Sequence, residues 1–331
     1  MKILVTGAAG FIGFHVAARL LADGSQVVGL DNLNSYYDPD LKKARLAHLQ
    51  THRQFEFLLL DLLDRDSIES VFARTDFDLV IHLAAQAGVR YSCENPHACV
   101  DTNVVGFLHI LEGCRRGRVG HLIYASSSSV YGGNSKTPFA VGDAVDYPVS
   151  LYAATKKANE LMAHCYTHLY RIPATGLRFF TVYGPWSRPD MAPYRFAAAI
   201  VAGEPIDLYN HGNMQRDFTY VDDIVEALVR VARQPPDGYR LFNIGSSLPV
   251  PLLEFVSELE AALGKRARKR FLPMQLGDVV STFADVEDLV RLTGYRPSTP
   301  LRQGVRQFAA WFLDYTREQR GTAAGQAVAS A

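Results

Sequence analysis

The chain has 331 residues, 34 Lys plus Arg balanced by 34 Asp plus Glu, and 48% hydrophobic residues. That length exceeds what one ordinary core holds and predicts two packed lobes, while the hydrophobic share excludes a disordered chain. Zero formal charge, with a pI near 7.1, gives no global field for gripping nucleic acid or an anionic membrane, so neither is expected as a partner. Four scattered cysteines (Cys93, Cys99, Cys114, Cys165) contain no C-x-x-C pair. They argue against a disulfide framework and against a metal site, and favour a reducing, cytoplasmic setting. Met1-Lys2-Ile3-Leu4-Val5 runs straight into a Gly-rich turn, which does not read as a signal peptide. The most apolar run, Leu79 to Val89, is broken by His82 and Gln86 and is too short to span a bilayer.

In chain order, Ile3–Val5, Gln26–Leu30, Phe55–Leu59, Leu79–His82 and His121–Tyr124 read as buried strands with nearly continuous apolar runs. Between them, Phe11–Ala22, Leu41–Gln50, Ser67–Arg74 and Ala98–Arg115 carry helical patterns. A long helix is expected over Leu151–Tyr170 and a further strand over Thr175–Phe179. This alternation predicts an α/β protein with a Rossmann-type, doubly wound parallel sheet. After Tyr183 the chain is punctuated by Pro185, Pro189, Pro193, Pro205, Pro249, Pro251, Pro273, Pro297 and Pro300, which suits a smaller, loop-rich α/β substrate lobe. The basic run Lys265–Arg270 reads as a solvated surface turn, and the small-residue end of the chain as a frayed tail.

Three patterns carry chemistry. Gly7-Ala8-Ala9-Gly10-Phe11-Ile12-Gly13 follows a strand and opens a helix, where glycines let backbone N–H groups approach a pyrophosphate. Asp31 ends the second strand, where a carboxylate can bind adenosine ribose hydroxyls and repel a 2′-phosphate, so the cofactor should be NAD rather than NADP. Tyr152-Ala153-Ala154-Thr155-Lys156 places a phenol and an ammonium on one helical face. The ammonium, together with a nicotinamide cation, should lower the phenol from its ordinary value near 10. Ser126-Ser127-Ser128-Ser129 lies at the carboxyl end of the fifth strand, where ligands of open α/β sheets bind.

Together with Asp61-Leu62, Leu83-Ala84-Ala85, Asn103 and Arg178 to Pro185, these motifs resemble the nucleotide-sugar epimerase group of the extended short-chain dehydrogenases/reductases. Four stretches are similar to the UDP-glucuronate 4-epimerases of that group: Asp31 to Tyr37, Ala84 to Ser92, Thr181 to Met191, and Asn210 to Tyr220. The resemblance covers residues 1 to about 316. It implies Tyr152 as base and acid at the sugar 4-hydroxyl, Lys156 on the nicotinamide ribose, and Ser127 on the 4-oxygen. Gly7, Gly10, Phe11, Ile12, Gly13, Asp31, Asn32, Asp61, Leu62, Leu83, Ala84, Ala85 and Asn103 would line NAD. Arg90, Ser128, Thr181, Arg188, Arg216 and Asp278 would contact the substrate, with Thr181 and Arg188 at the sugar carboxylate, Arg216 at the diphosphate and Asp278 at the uridine ribose. Gln275 stands where related epimerases often carry an arginine.

The resemblance also implies an NAD-binding domain of residues 1–180 plus about 218–247, a nucleotide-sugar lobe of 181–217 and 248–318, a flexible tail of 319–331, and a homodimer. The implied activity is reversible 4-epimerisation of UDP-glucuronate to UDP-galacturonate. The alternative is 4-epimerisation of a neutral UDP-hexose or UDP-N-acetylhexosamine. Ser128 and Ser129, where dehydratases and decarboxylases need acids, argue against those reactions.

Overall fold

Continuous apolar runs become parallel strands, and short polar residues before them or after them start the helices. The computed structural model describes residues 1–275 and 277–329, with side chains as far as residue 319. The chain opens with β1 (Lys2–Thr6), α1 (Phe11–Ala22), β2 (Gln26–Asp31), α2 (Pro39–Gln50), β3 (Phe55–Leu59), α3 (Arg65–Arg74) and β4 (Leu79–His82). Helices α4 (Val89–Glu94) and α5 (Pro96–Val100) lead through a π turn at Asp101–Val105 into α6 (Gly106–Arg116). Then come β5 (His121–Ser127), α7 (Leu151–Tyr170), β6 (Ala174–Phe179), β7 (Thr181–Tyr183), α8 (Ala192–Ala202), β8 (Pro205–Leu208) and β9 (Gln215–Tyr220). The remainder is α9 (Val221–Ala232), β10 (Tyr239–Ile244), β11 (Pro249–Pro251), α10 (Leu252–Leu263), β12 (Arg268–Phe271), α11 (Glu287–Thr293) and α12 (Leu301–Ala329).

Seven strands form one sheet in the order β10-β6-β5-β4-β1-β2-β3, and every pairing is parallel. The doubly wound sheet is therefore present. Strand order reverses direction between β1 and β4, and a crevice opens beyond their carboxyl ends, where such sheets hold ligands. The other sheets are small: β11-β9-β7 and β12-β8. One buried cluster runs from Ile3 and Val5 of the large sheet to Phe255 of α10 and Phe308 and Phe312 of α12, so the two halves share a core.

Four local expectations change. Helices α2 and α3 start two residues early because Asp38 accepts a hydrogen bond from the Asp40 N–H and Asp64 from that of Ser67, side-chain caps that the apolar period does not register. The helix expected over Ala98–Arg115 is interrupted by the π turn at Asp101–Val105. The basic run is not a turn but carries β12, paired parallel to β8. Its charges are answered, Arg266 and Lys269 by Glu260 and Arg270 by Asp207. The helical backbone of α12 continues to Ala329, since alanine, the best helix former, dominates the end of the chain. Residues 330 and 331 of the expected tail lie outside the described residues.

Candidate active site

A single cavity at the sheet's crevice is lined by Gly7, Gly10, Phe11, Ile12, Gly13, Asp31, Asn32, Asp61, Leu62, Leu83, Ala84, Ala85, Ser127, Ser128, Tyr152, Lys156, Thr181 and Arg188. The glycines are required by close approach. Gly7 has φ +72°, and a Cβ there would meet the Ala84 nitrogen at 2.7 Å. A Cβ on Gly13 would run into the Gly7 carbonyl. No side chain caps the N-terminus of α1, so its first amides are left to an anion in the cavity. Asp31 accepts from the N–H groups of Leu33 at 2.9 Å and Ala9 at 3.2 Å. Burial nevertheless raises its carboxyl above the ordinary range. Asn32 donates to Asp61 at 2.8 Å. A tight glycine turn, an uncapped helix start and an acid at the end of β2 together fit a dinucleotide with a free 2′-hydroxyl.

Asn103 is placed differently from the other expected cofactor residues. It is buried behind the cavity wall, in the π turn. Its side chain accepts from the Gln86 N–H at 2.8 Å and donates to the Gln86 carbonyl at 3.0 Å and to the Thr155 hydroxyl at 3.1 Å. Its own carbonyl accepts from Asn159 at 2.6 Å. Asn103 therefore ties the loop after β4 to helix α7.

Ser150 caps α7 by accepting from the Ala153 N–H, and the helix carries Tyr152 and Lys156 toward the end of β5. The Lys156 ammonium donates to the Ala125 carbonyl at 2.9 Å and lies 6.0 Å from the centre of the Tyr152 ring. The expected lowering of the phenol is not produced by the polypeptide alone. Burial raises Tyr152 above 10, while the Arg188 charge and a hydrogen bond with Ser127 pull it back. Burial likewise brings the Lys156 ammonium down to about 8. With the charged forms of both groups disfavoured, the positive nicotinamide ring is the agent that would favour phenolate.

The substrate residues divide. Thr181, Ser128 and Arg188 face the cavity with Tyr152. Arg90, Arg216 and Asp278 lie outside it, with Asp278 paired to Arg90 and its charge felt by Arg216. Arg90 pairs with Asp278 at 3.2 Å and sits 4.8 Å over the Tyr209 ring. Arg216 donates to the carbonyls of Gln215 and Val280, and Asp278 offsets the lowering that burial imposes on it. Gln275 has a buried Oε1 without a hydrogen-bond partner.

Several supporting residues escaped the motifs. Glu160 accepts from Ser126 at 2.6 Å and holds Arg178 through two bonds of 2.8 Å, all buried. Its spacing of eight from Tyr152 on the same helical face was an available signal. Arg45, fully buried, donates to the carbonyls of Ala9 and Trp186 and to the Tyr37 hydroxyl. Asp190 takes both Nε and Nη2 of Arg188, at 3.0 and 2.6 Å. No periodicity announces contacts made within an irregular loop, as between Arg188 and Asp190, or between distant segments, as between Arg45 and Trp186.

A model of the NAD dependent epimerase/dehydratase family matches residues 3–245. The chain belongs to this family. Among members, it is 48% identical to a probable UDP-glucuronate 4-epimerase of Rhizobium meliloti, over 94% of this chain and 97% of the relative. It is 45% identical to UDP-glucuronate 4-epimerase 4 of Arabidopsis thaliana, over 98% of this chain and 78% of that one. The structure of UDP-glucuronic acid 4-epimerase from Bacillus cereus in complex with UDP-glucuronic acid and NAD aligns with TM-score 0.89 and 34% identity, covering 95% of this chain and 100% of that chain. Cofactor NAD follows from the epimerase/dehydratase family itself.

Proposed function

We propose that this protein is an NAD-dependent UDP-sugar 4-epimerase that interconverts UDP-glucuronate and UDP-galacturonate. The observation that carries the reading is the meeting of the glycine turn, Tyr152, Lys156, Ser127, Thr181 and Arg188 in one cavity, in a chain 48% identical to a probable UDP-glucuronate 4-epimerase. Bound in the cavity beside Gly7, Gly10, Gly13 and Asp31, NAD would supply a reversible hydride acceptor for C4. Tyr152 removes the proton of the 4-hydroxyl and restores it after inversion, a general acid–base role. Ser127 holds the oxygen on which charge changes. Lys156, anchored on Ala125, orients the ribose beside Tyr152. Thr181 and Arg188 hold the C6 carboxylate, and Arg216 and Asp278 the UDP end. A carboxylate fixed near the plane of the forming 4-ketone has its C5–C6 bond poorly aligned for loss of carbon dioxide.

We assign NAD to residues 1–180 with 218–247, and the nucleotide sugar to 181–217 and 248–318. No helix among the described residues is long and apolar enough to cross a membrane, and Cys93, Cys99, Cys114 and Cys165 are free thiols, which supports a cytoplasmic enzyme. Val105, Leu108, Leu161 and Leu169 are exposed on or beside α6 and α7, which supports a homodimer through these helices. The decisive experiment is incubation of purified protein with UDP-glucuronate and no added cofactor. UDP-galacturonate is expected; product only from neutral UDP-hexoses would replace this reading with the neutral-sugar one.

A further inference from the structure

The geometry points to Asp190 as a specificity-determining residue that sets how strongly the site prefers charged over neutral sugars. This rests on the proposal that Arg188 meets the C6 carboxylate. Arg188 faces the cavity together with Tyr152, Thr181 and Tyr36. Asp190 occupies only one edge of its guanidinium, the Nε–Nη2 edge, with bonds of 3.0 and 2.6 Å. Tyr36 donates its hydroxyl to the same carboxylate at 3.1 Å, and its ring lies edge-on to Tyr91 with centres 4.6 Å apart. Asp190 is therefore held from two sides and cannot swing away without losing both contacts.

A guanidinium has five N–H donors in a fixed plane. Asp190 uses two of them. The Nη1–Nη2 edge keeps a complete fork for a second carboxylate, coplanar with the first. Two consequences follow. The plane offered to the sugar is set by Asp190 rather than by Arg188 alone. The half-buried cation also carries its own counter-ion, so a neutral sugar can occupy the cavity without leaving an unpaired charge, whose desolvation would be costly. A uronate, by contrast, must approach a cation that is already neutralised. Two carboxylates on adjacent edges of one guanidinium repel at close range, and in a half-buried site that repulsion weakens uronate binding on the order of ten-fold. Asp190 thus moderates the preference of the site and shortens the stay of the charged product.

The test uses the NAD-loaded protein and compares UDP-glucuronate with UDP-glucose by direct binding and by turnover. For Asp190→Asn, the ratio of affinities should shift toward the uronate by about ten-fold, with KM for UDP-glucuronate falling more than kcat changes. Asp190→Glu should restore a ratio close to that of wild type. A ratio in Asp190→Asn within two-fold of wild type would overturn the inference, provided that wild type converts UDP-glucuronate; failure of that conversion would instead remove the underlying reading. Wild type alone supplies a second measurement if the Asn variant does not fold. UDP-glucose should compete with UDP-glucuronate at a comparable concentration. Competition weaker by more than about a hundred-fold would show that Arg188 is not compensated and would equally overturn the role of Asp190.

Discussion

At the scale of single residues, burial works against both charged forms that the proton relay needs, raising the Tyr152 phenol and lowering the Lys156 ammonium to about 8. Tyr152→Phe keeps the ring and its packing but removes the only exchangeable proton. Turnover should fall roughly 10²–10⁴-fold while NAD stays bound, read as cofactor absorbance in the purified variant. A loss of only a few-fold would place the base elsewhere. Arg188→Ala should weaken uronate turnover more than any turnover of neutral UDP-hexose, and should release carbon dioxide and leave NADH on the enzyme, followed by the absorbance of reduced nicotinamide in the absence of added nucleotide. Equal losses on both sugars, with no NADH, would remove Arg188 from the carboxylate. The charge at Asp31 is tested by Asp31→Ala with Asn32→Arg, which should move cofactor preference toward NADP.

Elements show how far the pattern of a sequence reaches. The first seven strands and helices of the large sheet follow from apolar runs and spacing, and Tyr152 and Lys156 from a spacing of four on α7. Asp190 and Arg45 do not, because their partners lie on loops whose approach is decided by tertiary packing. The π turn escaped for a related reason: Asp101–Val105 is held by hydrogen bonds that Asn103 makes to Gln86 and Thr155, which lie 17 and 52 positions away. Helix α7 also hides a strong constraint, because Glu160 neutralises a fully buried Arg178. Glu160→Gln keeps the shape and strands the guanidinium, and should cost about 3–5 kcal/mol in chemical denaturation. A cost below about 1 kcal/mol, the range of exposed pairs, would show that water reaches Arg178. In the cofactor turn, Gly7→Ala forces a Cβ against the Ala84 backbone at a positive φ; the variant should purify without NAD.

Across the whole molecule, stability should respond to acid through histidines that the sheet keeps neutral. His82, bonded to the Thr6 hydroxyl and stacked on Phe107, titrates near 3, and His121, bonded to Thr175, near 4. Burial is the main cause for both. The unfolded chain binds these protons near pH 6.5 and the folded chain does not. Stability is therefore intact above about pH 6.5 and is lost as pH falls from there, through about 4 for His121 and about 3 for His82. Melting temperatures should decline through that window; a flat profile between pH 6.5 and 5 would mean that these rings are already charged in the native state. Leu161→Glu combined with Leu169→Glu should yield a species of half the mass in light scattering if α6 and α7 pair two copies.

The seventh strand of the large sheet, β10, arrives only after the chain has left that sheet for β7, β8 and β9 and returned, and it pairs along the whole of β6 from Ala174 to Phe179. A gene fragment stopped at residue 180 would therefore encode the cofactor motifs in full yet present β6 as a bare, apolar edge. Such edges recruit other chains, so the fragment should collect in inclusion bodies, and a split version of the protein should become soluble only when the piece carrying Tyr239–Ile244 is made alongside it.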